Sequence, residues 1–498
     1  MSEDGKQPTR TACDRCHSMK EKCVYGLITI DNQNPACSRC AKLARLCITS
    51  RIKRTIGRPR KADTTLVLPR AYHEFVWCTG TPSSTPPKLS HWDPASGPSN
   101  PVLAHRSSAE LSLLQALFDR NRPTNFMDRF VLGPSFAEAE LRGICGMLVT
   151  YPEATESLLS GLLACSRRFF ALVEGTAGGN REPRREGEEY RYSAKAAKEL
   201  RERGERNEKR RGGVMDLFLP LVIALGIMTF DLLDSGLHAH SICRYALGLV
   251  SSSSSASSPE TGRSVGLDSQ MLPLIHMDTC NCLVRRQIPL HQLQSAPKVD
   301  RYIGLCGSLF SLLYDVCHVS RKLRPGGAEK QEDYDELGRV ETAVRLWRPE
   351  MSEEDAARLT PREIDAITTQ ASVHQKAVLL FMLRLRFGFG DKDDVATHIA
   401  ASILDDLERL CCPREGEERL PFEYRMSLPF LVAAAELQDK VQRVQALDLL
   451  GWIMWKGMYH GVGRLLERFI LHVWEARDHG WRGHWADLTE NRLPFVLF

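Results

Sequence analysis

No uninterrupted apolar stretch in this 498-residue chain is long enough to cross a bilayer. The longest runs from Leu217 to Phe230, is broken by Pro220 and Gly226, and lies between Asp216 and Asp231. A span needs about 20 residues, so a buried core helix is expected and no membrane partner. The opening segment MSEDGKQPTR has no apolar h-region, so no secretory signal is expected. The compartment should then be reducing, and the 16 cysteines should not form a disulfide framework. Nor is there a large excess of one charge: 66 Lys+Arg face 62 Asp+Glu, which excludes a polyelectrolyte chain. Sustained strand-type alternation is nearly absent, which speaks against a sheet. No P-loop, GxGxxG, GxSxG or HExxH occurs. The commonest nucleotide, hydrolase and metalloprotease sites are therefore missing, and no enzyme is expected.

What is present is unevenly distributed. Apolar residues make up 43% and charged residues 26%, an ordinary globular composition that supports roughly two to four domains at this length. Residues 1–61 hold 14 Lys/Arg against 5 Asp/Glu, whereas the rest is mildly acidic. A compact basic end on an acidic body points to a polyanion-binding module joined to something else. Six of the cysteines lie in the same basic end, between Cys13 and Cys47.

Their spacing is an internal repeat. CDRCHSMKEKC contributes Cys13, Cys16 and Cys23; CSRCAKLARLC contributes Cys37, Cys40 and Cys47. A Cys-x2-Cys pair lets two thiolates reach one metal from a single turn, and zinc takes four sulfur or nitrogen ligands in a tetrahedron. Six cysteines fill one site with two left over, or serve two zincs if two thiolates bridge. The repeat favours the second arrangement, with two Zn²⁺ ions. Metal binding would supply the folding energy that so small a segment lacks.

With these six cysteines, Lys20 and Lys22 before Cys23, and Pro35 before Cys37, the chain resembles the fungal Zn2Cys6 binuclear zinc-cluster transcription factors. The resemblance implies double-stranded DNA as partner, the nucleus as location, and bridging roles for Cys13 and Cys37. It places the family's base-reading lysine on Lys20, near the end of a first short helix, reading a CGG triplet in the major groove. The sequence departs from the family where His17, Ser18 and Met19 replace more basic residues and where Glu21 is acidic. Read from the residues alone, Arg15, His17, Lys20 and Lys22 make the first half the better candidate for the groove. The second half sets Leu43 and Leu46 beside Arg39, Lys42 and Arg45. Lysine can donate to guanine O6 and N7, acceptors that no other base pair presents together there. Other cations would meet phosphates, giving salt-dependent affinity without sequence preference.

Residues 48–61 form a basic arm with Arg54, Arg58, Arg60 and no acidic residue. Gly57-Arg58-Pro59 looks like the core of an AT-hook for the narrow minor groove, but Ile56 stands where a flanking arginine is usual. A flexible linker serving nuclear import and phosphate contact is the alternative. Residues 1–12 read as disordered, and 62–110, with seven prolines and seven serines, as a disordered tether. No heptad repeat follows the cluster. Any homodimer is therefore expected to form through the large domain, with monomeric binding left open.

Residues 111–498 read as an all-α helical regulatory domain. Val299, Tyr302, Ile303, Cys306, Leu309, Phe310, Leu313, Val316 and Cys317 follow helical spacing. So do Ile399, Ile403, Leu404, Leu407 and Leu410 and, less strictly, a run from Val444 to Phe469. Disordered insertions are expected near 175–213, with room for one charged helix between Glu188 and Arg211, and near 251–266, a serine run. LGIMTFDLLDSGLHAHSICRYAL, DTCNCLVRRQIP and VDRYIGLCGSLFSLLYDVC resemble the middle-homology region of zinc-cluster factors, most nearly those controlling fungal secondary-metabolite gene clusters. That implies regulation of output, with transcriptional co-regulators as partners. Asp231, Asp234, His238, His240 and Cys243 are the richest titratable constellation, but His238 and His240 point to different sides of a helix. Helix-face and core roles are expected for them, and ordinary thiols for Cys280, Cys282, Cys411 and Cys412. A rival from another class is a zinc-stabilised protein adaptor without sequence-specific DNA binding.

Overall fold

The computed structural model describes residues 106–118, 131–132, 135–136, 144, 155–176, 187–210, 214–254, 265–293, 299–324, 330–412, 425–454, 458–490 and 497. The chain divides into two units, Met1–Val67 and Leu68–Phe498, and every described residue belongs to the second. The zinc-cluster segment, the basic arm, most of the tether and most of the serine-rich insertion lie outside the described residues.

The described residues are helical, with no strand among them. The first group is α1 (Ser108–Phe118), α2 (Thr155–Thr176), α3 (Glu188–Arg210), α4 (Val214–Asp234) and α5 (Ala239–Ser254). Then come α6 (Val265–Val284), α7 (Gly307–Lys322), α8 (Gln331–Leu346), the short α9 (Glu353–Arg358) and α10 (Pro361–Arg386). Last are α11 (Asp393–Cys411), α12 (Ser427–Ala434), α13 (Lys440–Ile453), α14 (His460–Asp478) and a 3-10 turn at Trp485–Glu490. Helices α2, α3, α4 and α5 pack on one another; α6 joins them to α7; α10, α11 and α12 form a second nest reached through α8 and α7. No helix among the described residues is long and apolar enough to cross a membrane.

Local chemistry explains the elements. Helix α4 is apolar nearly all round, and from Phe218 onward its side chains are mostly buried, as a core helix requires. It approaches α2 backbone to backbone, because a Cβ on Gly226 would stand only 3.5 Å from Gly161 Cα. Helix α10 starts with a capping box: Thr360 accepts from the Glu363 N–H, Glu363 accepts from the Thr360 N–H at 2.8 Å, and Pro361 opens the helix. The core runs through Phe381, Trp485 and Phe469, in edge-to-face pairs at 5.7 and 6.3 Å. Buried charge is paired across helices. Arg384 of α10, wholly enclosed, donates to Glu436 at 2.6 Å and to Asp393 at 2.7 Å; Arg477 of α14 also reaches Asp393, at 2.8 Å.

Three sequence expectations need correction. The stretch 175–213, expected as a disordered insertion with room for one charged helix between Glu188 and Arg211, does hold that helix, the 23-residue α3, but as a packed element rather than an isolated one. Its stripe of Ala196, Leu200 and Gly204 is buried, and Gly204 sits so close to Tyr245 and Leu249 that a larger residue would collide. A helix this polar is held by a narrow apolar stripe, which composition hides. The spacing from Val299 to Cys317 is not one helix: Asp300–Gly304 is a turn closed by mutual backbone hydrogen bonds, and α7 begins at Gly307. All nine residues are nonetheless buried. The run from Val444 to Phe469 spans two helices, and Val444 faces solvent, 61% exposed.

Candidate functional site

The sequence-derived DNA and metal residues, Arg15, His17, Lys20, Lys22, Arg54, Arg58, Arg60 and the six cysteines from Cys13 to Cys47, lie outside the described residues. Their case is the chemistry of the donor set. Six thiolates in two equal halves match the eight bonds that two tetrahedral zincs require when two sulfurs are shared.

Within the helical body the constellation at 231–243 separates into distinct roles. Asp231 accepts from the His238 and Ala239 N–H groups at 2.9 and 2.8 Å, which fastens the start of α5. Asp234 pairs with Arg168 at 3.1 Å and accepts the Tyr190 hydroxyl at 2.8 Å. Cys243 is buried, its thiol against the Leu274 carbonyl at 3.1 Å. The side chain of His238 is exposed.

His240 joins Asp278 and Cys282 of α6 in a trio of the kind that can hold a metal ion. Its Nε2 lies 3.0 Å from Asp278 Oδ1, and Cys282 Sγ lies 3.5 Å from the same oxygen. Sequence reasoning missed Asp278. Its i, i+4 spacing to Cys282 put both on one helix face, but nothing tied that face to α5, 38 residues away. Such a trio resembles a metal-ligand set. Arg244, however, donates to Asp278 Oδ1 at 3.0 Å and to Cys282 Sγ at 3.2 Å, so a guanidinium already holds the cation's place. The Leu290 N–H completes the carboxylate at 2.7 Å. Burial would raise the Asp278 carboxyl, but the hydrogen bonds from His240 and Leu290 and the Arg244 charge outweigh it and hold it below the usual range. Burial lowers His240 in turn, so a neutral ring donates to an ionised aspartate. Burial, seconded by Asp278, pushes the Cys282 thiol up to about 12, unlike a nucleophile. The trio is a structural tie between α5, α6 and the loop at Leu290.

The remaining thiols are equally quiet. Cys165, Cys280, Cys306, Cys317 and Cys411 are buried, and burial raises the first four. An open groove of about 760 Å³ on α8 is lined by Tyr334, Arg339 and Arg386 but gathers no set of convergent catalytic groups.

Comparison with known families gives the class. Residues 134–498 match the fungal specific transcription factor domain, and residues 11–56 match the fungal Zn(2)-Cys(6) binuclear cluster domain. This architecture defines a DNA-binding transcription regulator whose N-terminal domain binds two zinc ions. The chain belongs to the family of fungal Zn2Cys6 transcription factors. No curated protein and no solved structure matches it.

Proposed function

We propose that the chain is a nuclear regulator of RNA polymerase II transcription that reads CGG-type sites through its zinc cluster and controls a secondary-metabolite gene cluster. Cys13, Cys16, Cys23, Cys37, Cys40 and Cys47 hold the metals, with Cys13 and Cys37 shared. When bound, zinc folds the segment and presents its basic face. Lys20 donates to guanine acceptors in the major groove. Lys22, Arg15 and His17 flank it, and Arg54, Arg58 and Arg60 add phosphate or minor-groove contacts along the tether. The helical body has no catalytic role; it carries regulation, contacts co-regulators and provides any homodimer interface.

One observation carries this reading: the doubled Cys-x-Arg-Cys-x6-Cys unit, in a segment of strong positive charge, ahead of a matched transcription factor domain. The test is a titration of the zinc-loaded full chain with CGG-bearing and scrambled duplexes at two salt concentrations. Preference for CGG that persists as salt weakens both affinities is expected. Equal affinity for the two duplexes would leave the protein-adaptor reading standing instead.

A further inference from the structure

The tie between α5 and α6 is assembled from zinc-ligand chemistry. His240 Nε2, Asp278 Oδ1 and Cys282 Sγ all lie within 4.8 Å of one another. The histidine nitrogen is 3.0 Å and the cysteine sulfur 3.5 Å from the shared aspartate oxygen. Zinc bonds of about 2.0–2.3 Å in a tetrahedron separate neighbouring donors by roughly 3.3–3.8 Å. These separations already approach that spacing, so small side-chain rotations bring the three donors onto one ion. Asp278 and Cys282 stand one turn apart on α6, and α5 supplies His240. The Leu290 N–H holds the other carboxylate oxygen at 2.7 Å, an outer contact of the kind that orients a ligating carboxylate.

Arg244 closes the set from the fourth side. A single nitrogen, Nη1, donates to Asp278 Oδ1 at 3.0 Å and to Cys282 Sγ at 3.2 Å. The side chains of Asp278 and His240 are 1% and 12% exposed, that of Arg244 33%. The guanidinium can therefore withdraw into water while the three ligands stay enclosed. Charge balance permits the exchange. With arginine in place, its charge offsets the Asp278 carboxylate beside a neutral thiol. With Zn²⁺ in place, carboxylate and thiolate together offset the ion, and the guanidinium is hydrated outside. The site is neutral in both states. The charge of Arg285 also reaches His240, remains in both states, and makes this site weaker than the N-terminal cluster.

We propose that His240, Asp278 and Cys282 form a third zinc site, beyond the two of the cluster domain, loaded by displacement of Arg244 and completed by a water molecule. On loading, the Cys282 thiol gives its proton to solvent and its sulfur bonds the metal; no electron changes hands. Nitrogen, sulfur and one carboxylate oxygen suit zinc, whereas magnesium and calcium take oxygen ligands. The ion fastens α5 to α6 in place of the guanidinium, so the helical body responds to free zinc apart from the cluster. The site does not depend on what the cluster reads.

The test equilibrates the full chain at graded free zinc set by a metal buffer and counts bound metal per chain. The wild-type protein should reach three zincs, the third only at higher free zinc than the first two. Cys282→Ser and His240→Gln should each bind one zinc fewer. Arg244→Met should fill the third site at roughly tenfold lower free zinc, since a charged hydrogen-bond donor no longer competes for the ligands. Magnesium should displace none of the three. Equal zinc content of the wild-type protein and Cys282→Ser across the range overturns the proposal. So does Arg244→Met that binds the third ion no earlier than the wild type, which would leave the trio a tie and nothing more. Circular dichroism reports whether each variant is folded, and if Cys282→Ser is not, the Arg244→Met titration decides. The readout is a difference between variants. A cluster holding one ion instead of two would shift every total alike and leave that difference intact, so the two failures are separable.

Discussion

Between Cys13 and Cys47 the large apolar residues are Met19, Val24, Tyr25, Leu27, Ile28, Ile30, Leu43 and Leu46, too few to enclose a core. In the helical body whole faces are buried: Leu309, Leu313 and Val316 on α7, and Ile367, Leu380 and Phe381 on α10, are fully enclosed. The first region binds two zinc ions, and under the proposed reading its charges serve a partner. The second relies on apolar burial and turns charges inward as ties, with Asp278, Glu363, Arg384 and Glu436 all buried and hydrogen-bonded. A positive charge therefore means different things in the two. In the zinc module, on the proposed reading, it is an instrument of recognition; in the body it fastens helices together. Perturbations should separate them cleanly.

The largest expected effect is metal removal. Structural zinc supplies about 10–16 kcal/mol of apparent binding free energy in small zinc modules. A strong chelator should abolish DNA binding measured by fluorescence anisotropy, while the main calorimetric transition of the helical body stays in place. Binding that survives chelation, or a body that melts with the metal, would break the contrast. Next is Glu436→Ala. It strands Arg384 without its bidentate partner and should cost about 3–5 kcal/mol in urea unfolding. DNA affinity per folded molecule should not change. Pairing Arg384→Met with Glu436→Leu should recover much of the loss, because the double variant leaves no buried charge unpartnered.

Lys20→Ala sharpens the other side. It should cost about 1–3 kcal/mol in DNA binding and relax base preference, with no change in the unfolding of the body. Arg58→Ala should instead leave preference intact and lower the salt slope of log affinity by about 0.9. Equal loss of preference in both would mean that Lys20 is only one more phosphate contact.

The two regions were also unequally legible. The proposed zinc ligands stand out because metal chemistry fixes cysteine spacing along the chain, so Cys13 to Cys47 carry their meaning in one dimension. The helical class of the body was legible for a similar reason, since α7 and α11 write their buried faces at helical intervals. Its internal ties were not. His240 meets Asp278, and Arg384 meets Glu436, across 38 and 52 residues, and no local pattern records which helix packs on which. Helix α3 was half legible, because its charge concealed the stripe at Ala196, Leu200 and Gly204.

The smallest expected effect concerns protons. Burial pushes His374 down to about 4 from its ordinary 6.5, against the backbone carbonyls of Gln370 and Arg425. The unfolded chain therefore takes up the proton first as pH falls. The stability this residue contributes is complete above about pH 6.5 and is lost progressively between 6.5 and 4. One proton sets a ceiling of about 1.4 kcal/mol per pH unit on the slope. Burial lowers His276 and His484 as well, so the wild-type slope should exceed that of one group. Asp278 acts in the same direction but in a lower window. Its depressed carboxyl keeps its contribution above the ordinary aspartate range and loses it only as pH falls further. His374→Asn keeps a polar group near the Gln370 carbonyl but cannot titrate. Its urea midpoint should decline less than that of the wild-type protein between pH 7 and pH 5, and the two should run parallel below pH 4. Identical decline across the whole range would place the acid sensitivity of the body elsewhere, in His276 or His484, and would mean that His374 takes up its proton alike in the folded and unfolded chain.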